Sequence, residues 1–424
     1  MSKLSVPRGI QRAILRRMHD AMGNPRLRLR LWNGVEAGAP QEESVGTAEI
    51  RDAGALLRIV LDPELQVGEL YVTDRLEIEG GLVALLAAGF RANAQAGLLQ
   101  RMLPKRLIAR ALDTSLSMAT RNAQHHYDLG NEFYEFWLDE RMVYTCAYFP
   151  TRETSLEEAQ RAKMEHVCRK VALRPGEKVV EAGCGWGALA LHMARHHGVS
   201  VRAFNVSGEQ VEYAQEQAEK QGLSDRVEFV QDDYRNISGC YDAFVSVGML
   251  EHVGLDHYEA LGALIDRSLE PGGRGLIHTI GRSRPVRLNR WISKHVFPNA
   301  HPPTLSEMMR IFEPFDFAVL DVENLRAHYE LTSDHWLRRY DEEYDRIEAR
   351  VGRERARTWR FYLAGGVASY ETGLLQLYQV LFTRAKNMQA PWHRGYVYTG
   401  EPAVPGDGPA GFGAEPAQVA DGEG

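Results

Sequence analysis

The sequence predicts an α/β protein in which a doubly wound, mostly parallel sheet forms the larger domain and follows a smaller α+β domain. The main observation is a regular alternation of strand-like and helix-like segments between residues 172 and 285. The strand-like segments are apolar and rich in β-branched residues, which is typical of strands buried on both faces beneath helices. The chain has 424 residues, enough for two or three domains of ordinary size.

Strands and helices follow one another closely within this alternation. The first strand runs into a glycine-rich turn, and Gly222 ends the second helix. The predicted strands are 177–185, 200–207, 226–234, 241–250 and 273–281, and the first two helices are 186–197 and 208–222. This order indicates βαβ units and a Rossmann-like sheet.

The first 120 residues are predicted to form the smaller domain. Residues 7–22 repeat apolar side chains at i+4 spacing among arginines, so a basic amphipathic helix is expected, and residues 26–32 alternate like a strand. Residues 96–113 form a second basic amphipathic stretch. The net charge is −7, yet these basic segments favour contact with an anionic surface, either lipid or nucleic acid. The simpler alternative is that both helices pack on the protein and leave their charges in water.

Two long helices are predicted after the alternating region, at 335–352 and 357–385. The second is rich in aromatic residues and leucine, and it is expected to belong to the core or to form the wall of a site for an apolar substrate. The predicted domains are an N-terminal membrane-associating domain at 1–120, a larger domain at 121–390 and a disordered tail at 391–424, rich in Gly, Pro and Ala.

The composition is that of an ordinary soluble protein, with 44% hydrophobic and 25% charged residues. The longest apolar run, at 80–90, has about half the length of a bilayer-spanning helix. Because the N-terminus also lacks the apolar core of a signal peptide, a cytoplasmic protein is expected. The four cysteines form no CxxC pair, so neither a metal site nor a disulfide framework is predicted.

The glycine-rich turn spells Glu181-x-Gly183-x-Gly185-x-Gly187. Its glycines let the chain turn sharply after a strand and let a ligand lie against the backbone. The GxGxG spacing differs from the GxGxxG of dinucleotide-binding proteins, and the second strand ends without the acid that would hold their ribose. The acid before the first glycine suits a cationic or polar group. These features favour S-adenosylmethionine, which has a cationic sulfur, an amino acid tail and no pyrophosphate.

Candidates for contact with the adenine of this cofactor follow the third strand. The stretch "QDDYR" (231–235) offers Asp232 or Asp233 and the ring of Tyr234. The alternative for the whole region is a purely structural glycine turn that binds no nucleotide.

Cys146 lies within a cluster of aromatic residues in the sequence, "VYTCAYF" at 143–149. Buried packing, a nucleophile, a metal ligand and one wall of a site are the alternatives for such a thiol. No Lys or Arg is adjacent in sequence to lower its pKa, and the spacing does not support a metal site. The cysteine is therefore expected to form part of a wall.

A set of motifs occurs in a fixed order along the chain. They are "QVGELYVTDRLEI" (66–78), "HHYDLGNEFYEFWLD" (125–139), "YTCAYF" (144–149), "CGWGALALHMA" (184–194), "SVGMLEHVG" (246–254), "IHTIG" (277–281), "WISKHVFPN" (291–299) and "HYELTSDHW" (328–336). Together they resemble the cyclopropane-fatty-acyl-phospholipid synthase family, which includes the mycolic acid cyclopropane synthases. The resemblance covers roughly residues 10–390.

The resemblance implies a Rossmann-like methyltransferase that binds the inner face of the membrane peripherally and forms a homodimer. In this family a methyl group passes from S-adenosylmethionine to a cis double bond of a phospholipid acyl chain. The carbocation then loses a proton to a bound bicarbonate, and the ring closes. The implied bicarbonate-site residues are Cys146, Glu251, His278, Ile280 and Tyr329. The implied cofactor contacts are Tyr144, Thr145, Gly183, Gly185, Gln210, Asp233 and Tyr234, with Glu181 and Gly187 added from the glycine loop.

These residue types suit such chemistry. An alkene is a weak nucleophile, so the reaction depends on holding it beside an activated methyl group. A cation in an apolar chain is stabilised by aromatic faces, for which the candidates are Tyr144, Tyr148, Phe149 and Tyr329. His278 and Tyr329 can donate hydrogen bonds to a small anion that Glu251 orients. The plainer roles are a helix cap for Glu251, a core position for His278 and packing for Tyr329.

The chain departs from the family pattern at Ala188, where a glycine is common, and in "FPNAHPPT" (297–304), near the expected acyl site. These differences leave the product open, since the same site could yield a methyl- or methylene-branched chain or a furan-fatty-acid precursor.

Two other functional classes are less favoured. A lipid-binding protein with an inert domain conflicts with the intact motifs, and nucleic-acid methylation lacks a target-base motif or a binding module.

Overall fold

The computed structural model of this protein describes residues 7–100 and 129–399 apart from Gln389, with the backbone alone for residues 93–100. The predicted boundary near residue 120, most of the second basic stretch and the tail beyond residue 399 lie outside the described residues. None of the helices that are described combines the length and apolarity needed to cross a membrane.

The N-terminal domain contains a four-stranded sheet in the order β2-β1-β3-β4, with β1 and β3 parallel. Its elements are α1 (Arg8–Ala21), β1 (Arg28–Leu31), β2 (Glu36–Gly38), β3 (Gly46–Ile50), α2 (Ala53–Leu61), α3 (Pro63–Val72), β4 (Leu76–Gly80) and α4 (Leu82–Gln100). The predicted basic helix and the strand after it are thus both present. Helix α1 buries one face through Leu15 and leaves its arginines exposed, as its amphipathic pattern requires.

The larger domain contains a seven-stranded sheet with helices on both sides. Its elements are α5 (Asn131–Glu135), α6 (Leu156–Val171), β5 (Lys178–Ala182), α7 (Ala188–His197), β6 (Ser200–Asn205), α8 (Gly208–Lys220), β7 (Val227–Gln231), β8 (Tyr241–Val247), α9 (Leu250–Val253), α10 (Tyr258–Ser268), β9 (Leu269–Gly281), α11 (Arg290–His295), α12 (Leu305–Phe312), β10 (Phe317–Asn324), α13 (Arg326–Glu342), α14 (Tyr344–Val351), α15 (Arg353–Glu371), β11 (Gln376–Arg384) and α16 (Gly395–Thr399).

The strand order of this sheet is β10-β11-β9-β8-β5-β6-β7. Strands β5 to β9 pair with one another in parallel, whereas β11 runs antiparallel to both β9 and β10. The predicted doubly wound, mostly parallel sheet is confirmed. Because the order reverses between β5 and β8, a crevice is expected at the carboxyl ends of these two strands.

The predicted helix at 357–385 is wrong in its second half. Helix α15 ends at Glu371, Gly373 takes a left-handed φ of +72°, and the chain continues as β11. Residues 377–383 of β11 are all buried, and their sequence shows no polar–apolar alternation that would separate a buried strand from a buried helix. Pairing on both sides, with β9 and β10, selects the strand. The predicted helix at 335–352 is likewise two helices, α13 and α14.

Helix α6 has clear boundaries and a partly charged interior face. The Ser155 side chain caps its N-terminus by accepting from the Glu158 N–H, and Ala172 ends it in the left-handed conformation. Its buried side chains include Lys163 and Cys168, which face the sheet domain rather than solvent. A lysine buried in this way needs polar partners, because burying an unpaired charge is costly.

The two domains pack tightly against each other at α3 and α11. Trp291 is buried against Gly68, where an added Cβ would lie 2.4 Å from the indole Nε1, so a side chain cannot be accommodated there. Beside it, Glu69 accepts hydrogen bonds from His295 (2.6 Å) and Lys294 (2.8 Å). Burial alone would raise the pKa of Glu69, but these bonds outweigh it and lower the pKa to about 2. This contact joins the motif at 66–78 to the motif at 291–299.

Candidate active site

A continuous cavity of about 1820 Å³ lies at the carboxyl edge of the parallel strands. Its walls come from the loops after β5, β6, β8 and β9, from α13 and α15, and from the N-terminal helices α1, α3 and α4. Sites for one small molecule usually have about 300–1,000 Å³. The cavity therefore has room for a nucleoside-sized ligand together with a second ligand.

The glycine loop after β5 forms one wall of this cavity. Gly183 and Gly185 have φ of +85° and +53°, and a Cβ added at Gly185 would meet nothing within 4 Å. This bare backbone is open to a ligand. Gly187 differs, because a Cβ there would lie 2.6 Å from the ring of Phe229 and 2.7 Å from Ala214. Gly187 does not line the cavity, and its geometry gives it a packing role beneath the loop.

Asn205, at the end of β6, connects the glycine loop to Gln210. Its Nδ2 donates to the Gly185 carbonyl at 3.1 Å and to Gln210 Oε1 at 2.7 Å. Gln210 is thereby held at the cavity wall, where both residues are lining residues. The sequence shows that this strand ends without an acid, but no local pattern distinguishes Asn205 as a site residue.

Two buried charged side chains, Lys163 and Glu181, line the cavity beside the glycine loop, and each is 2% exposed. Lys163 Nζ donates to Thr145 Oγ1 at 2.9 Å, whereas Glu181 Oε2 has no hydrogen-bond partner among the described residues. Burial raises the pKa of Glu181 to about 8 although Lys163 opposes the shift. Burial lowers the pKa of Lys163 to about 8 against the opposing charges of Asp139 and other groups. No sequence pattern identifies Lys163 as a site residue, because a lysine in a polar helix usually points to solvent.

Glu251 and His278 are both buried at the carboxyl ends of β8 and β9. Glu251 Oε1 accepts from the Ile280 N–H at 2.5 Å, and His278 Nδ1 lies 3.1 Å from Gln379 Nε2. Glu251 Oε2 and His278 Nε2 have no hydrogen-bond partner in the part of the chain that the structure describes. Burial raises the pKa of Glu251 to about 7 and lowers the pKa of His278, so the imidazole is neutral. Glu251 and Ile280 line the cavity; His278 lies behind its wall.

Tyr329 lines the cavity and stacks on Tyr370, with ring centroids 4.5 Å apart. Cys146 lies behind the wall and is fully buried. Its thiol donates to the Ala147 carbonyl at 3.2 Å, and burial raises the pKa of the thiol far above its usual range. Burial therefore disfavours a nucleophilic thiolate at this position.

The aromatic residues around Cys146 divide into two groups. Tyr144 lines the cavity and donates its hydroxyl to Tyr362 at 2.8 Å. Tyr148 is stacked between two histidines, with centroid distances of 4.2 Å to His166 and 4.7 Å to His328. Phe149 stacks on a further histidine. Neither Tyr148 nor Phe149 lines the cavity, so the expectation that they face the substrate cation is wrong; histidine stacking holds them away from it.

The predicted adenine contacts are not brought into the cavity wall. Asp233 accepts two hydrogen bonds from the Arg235 guanidinium, each of 2.8 Å, and Tyr234 is half-buried next to it. Of the other residues selected from the sequence, Thr145 and Gln210 line the cavity with the residues described above.

The order of the sheet, its antiparallel strand β11 and the glycine loop after β5 define the fold of an S-adenosylmethionine-dependent methyltransferase. The buried Lys163 and Glu181 beside that loop are consistent with a ligand that carries both charges.

Within this class, the chain belongs to the mycolic acid cyclopropane synthetase family, whose model matches residues 114–380. It is 32% identical over 392 residues to a probable fatty acid methyltransferase of Pseudomonas putida, covering 88% of this chain and 96% of that protein. It is 38% identical over 262 residues to the cyclopropane-fatty-acyl-phospholipid synthase of Escherichia coli K12, covering 62% and 67%. The mycolic acid cyclopropane synthase CmaA1, solved with SAH and CTAB, superposes with a TM-score of 0.59 at 26% identity, covering 62% of this chain and 97% of that one. The family resemblance seen in the motifs is confirmed.

Proposed function

We propose that this protein transfers the methyl group of S-adenosylmethionine to the cis double bond of an unsaturated phospholipid acyl chain and closes a cyclopropane ring. The main supporting observation is the continuous cavity, which joins the glycine loop to an apolar space reaching into the N-terminal domain. A cofactor site alone would not need that space.

The part of the cavity within the N-terminal domain suits an acyl chain. Burying each CH₂ group stabilises a complex by about 0.8 kcal/mol, so an apolar channel can hold a long chain without polar contacts. The aliphatic and aromatic side chains that line this part are Ile14, Met18, Leu29, Ile50, Ile59, Val67, Leu76, Leu85, Leu86 and Phe90.

Lys163 and Glu181 are proposed to hold the amino acid tail of the cofactor. That tail carries an ammonium group and a carboxylate, and the cavity offers one buried acid and one buried base beside the glycine backbone. The unpaired Glu181 Oε2 would accept from the ammonium, and Lys163, already fixed by Thr145, would donate to the carboxylate. When bound, S-adenosylmethionine supplies the activated methyl group.

The aromatic wall is proposed to stabilise the carbocation that methyl transfer leaves on the chain. Tyr144, Tyr329 and Tyr370 present ring faces or edges to the cavity. A π-face stabilises a nearby cation by about 0.5–2 kcal/mol, more where water is excluded. The same wall keeps water from capturing the cation before the ring closes.

Bicarbonate is proposed as the acceptor of the proton, and the residues present fit a small oxyacid. Glu251 Oε2 is a buried acceptor at the cavity wall, and His278 Nε2 is a buried ring nitrogen behind that wall. Both atoms are without hydrogen-bond partners among the described residues. Glu251, with a pKa raised to about 7, would orient such an ion, and Tyr329 completes the wall. Bicarbonate, when bound, supplies a base close to the new methyl group.

A second candidate, a methyl- or methylene-branched product, is favoured by the loop at 297–304. Phe297, Pro298, Ala300 and Pro302 of this loop line the cavity, and the His301 N–H donates to the Glu251 carbonyl at 2.7 Å. The loop that departs from the family pattern therefore contacts the segment that bears the proposed proton-accepting site. A shift of that site relative to the chain would change which proton is lost.

The open end of the cavity is proposed to meet the anionic surface of a membrane. Three exposed arginines, Arg17, Arg284 and Arg287, line the cavity, and Val60 and Val286 nearby are exposed apolar side chains. Basic and apolar groups around one opening are typical of proteins that dock on lipid headgroups.

The decisive experiment is expression in a host with unsaturated phospholipids, followed by mass spectrometry of the fatty acids. A gain of one CH₂ with loss of the double bond supports the cyclopropane product. The same gain with a double bond retained would favour the branched product instead. An unchanged lipid profile together with methylated RNA or DNA would overturn both.

A further inference from the structure

We propose that Cys168, His192, His197 and Glu165 form a zinc site that joins α6 to α7. The Cys168 Sγ and one ring nitrogen from each histidine lie within 4.8 Å of one another. His192 Nε2 and His197 Nε2 are 3.3 Å and 3.1 Å from the same oxygen, Glu165 Oε2. A thiol and two ring nitrogens, which are ligand types that zinc prefers, thus lie together, and the Glu165 carboxylate lies next to the two imidazoles.

The spacing of these atoms is close to that of a zinc coordination sphere. Zinc binds nitrogen and oxygen at about 2.0–2.1 Å in a tetrahedron, so neighbouring ligand atoms are separated by about 3.3 Å. The distances from His192 Nε2 and His197 Nε2 to Glu165 Oε2 agree with that separation. The Cys168 thiol lies within 4.8 Å of both ring nitrogens and would bind the ion as a thiolate, with loss of its proton.

The surroundings favour a closed, structural site. Cys168 is fully buried, while the side chains of His192 and His197 are 8% and 17% exposed, which leaves a path for an ion. Arg169 Nε donates to Glu165 Oε1 at 2.8 Å, so the other carboxylate oxygen is held towards the histidines. Ligand carboxylates are usually oriented by such outer hydrogen bonds. His197 also lies in the last turn of α7, where the helix dipole favours a cation.

Sequence spacing does not reveal this site. The prediction that no metal site exists depended on the absence of a CxxC pair, but here the ligands come from two helices separated by strand β5. A metal at this point would connect α6, which carries Lys163, to α7, which begins at the glycine loop. The site would therefore stabilise the scaffold of the cofactor end without touching the reacting atoms.

A hydrogen-bonded cluster without metal, in which Glu165 accepts from both imidazoles and Arg169, is the alternative. Titration of the untagged, chelator-stripped full-length protein with Co²⁺ and then Zn²⁺ separates the two. We expect one Co²⁺ per chain with the intense visible bands of tetrahedral cobalt, a thiolate-to-cobalt charge-transfer band, and displacement by Zn²⁺. Added Zn²⁺ should also raise the temperature of unfolding.

Two variants test the ligands individually. His197→Gln, at a partly exposed position, should weaken Co²⁺ binding at least about tenfold, and Cys168→Ser should abolish the charge-transfer band. His196→Gln is the matched control, since His196 is the exposed neighbour on the same helix end and lies outside the cluster. Absence of stoichiometric binding, an octahedral cobalt spectrum, or equal weakening by His196→Gln and His197→Gln would overturn the proposal.

Discussion

The two ends of the cavity are built from different kinds of residue. At the cofactor end, loops after the parallel strands place buried charges, Lys163 and Glu181, next to bare glycine backbone. At the other end, proposed to hold the lipid and called the lipid end below, the N-terminal domain presents mainly aliphatic and aromatic side chains. Burying a charge is costly unless a partner compensates it, whereas burying an apolar surface is favourable over its whole area. Ligand binding at the cofactor end therefore depends on individual polar atoms, whereas binding at the lipid end depends on the volume of the apolar cavity.

The largest effect is expected from Glu251→Gln, at the junction of the two ends. The substitution keeps the shape of the side chain but removes the carboxylate that is proposed to orient the proton acceptor. Turnover should fall by about 10²–10⁴-fold, while calorimetric binding of S-adenosylhomocysteine stays unchanged. Tyr329→Phe should show the same separation with a smaller loss.

The control for Glu251→Gln is Glu219→Gln, an exposed position on α8. It should leave both measurements unchanged. If Glu251→Gln retains full turnover, the proton-accepting site lies elsewhere; if it loses cofactor binding equally, Glu251 belongs to the cofactor end.

Lys163→Met tests whether the buried lysine at the cofactor end contributes to cofactor binding. A charge-assisted hydrogen bond contributes about 1.5–3 kcal/mol, so S-adenosylhomocysteine should bind about 10–100-fold more weakly. Binding of 5′-methylthioadenosine, which lacks the amino acid tail, should not change. Isothermal titration calorimetry measures the affinity of the variant for both compounds. Equal weakening of both affinities would show that Lys163 acts only on the fold.

The same end should give cofactor binding a defined pH dependence. The pKa of Glu181 is raised to about 8 by burial, and the bound ammonium favours its charged form, so binding releases a proton. Affinity for S-adenosylhomocysteine should therefore rise with pH, by up to about tenfold per unit below pH 8. Above that pH it should fall as Lys163, with a pKa lowered to about 8, loses its charge. In Glu181→Gln the rise should disappear, and a rise that persists there would assign the proton to another group.

Gly89→Leu tests the apolar end by reducing its volume. Gly89 lines the cavity on α4, and a Cβ there would meet nothing within 4 Å, so the new side chain would enter the cavity without a clash. Long acyl chains should lose about tenfold in kcat/KM relative to short ones, with S-adenosylhomocysteine binding unchanged. Gly9→Leu, at an equally open glycine on α1 that does not line the cavity, is the matched control. An unchanged chain-length profile in Gly89→Leu would place the acyl chain elsewhere.

The smallest effect is expected at the mouth of the cavity. Arg284→Glu and Arg287→Glu should each weaken sedimentation with anionic vesicles, because a basic residue near such a surface contributes about 1 kcal/mol, or about fivefold. Neutral vesicles should show no difference. Arg152→Glu, at an exposed position that does not line the cavity, is the control, and an equal loss there would indicate a general effect of net charge.

Much of the cofactor end was predictable because its signals are local. Strand β5 runs into the glycine loop as predicted. Glu181, Gly183, Gly185, Glu251 and Tyr329, which the spacing and the family resemblance selected, line the cavity. Gly187 was selected by the same spacing, but its contact with Phe229 comes from the packing of β7 and could not be inferred locally.

The sequence alone determined the parallel sheet, the glycine loop and the basic amphipathic helix α1, because each depends on a period of a few residues. Tertiary structure decided which segment became strand β11, which buried lysine interacts electrostatically with Glu181, and which cysteine lies close to two histidines. It also joined the N-terminal domain to the cofactor loop in one cavity, through contacts such as Trp291 on Gly68. Such pairings depend on residues far apart in the chain, whose burial and partners no local spacing specifies.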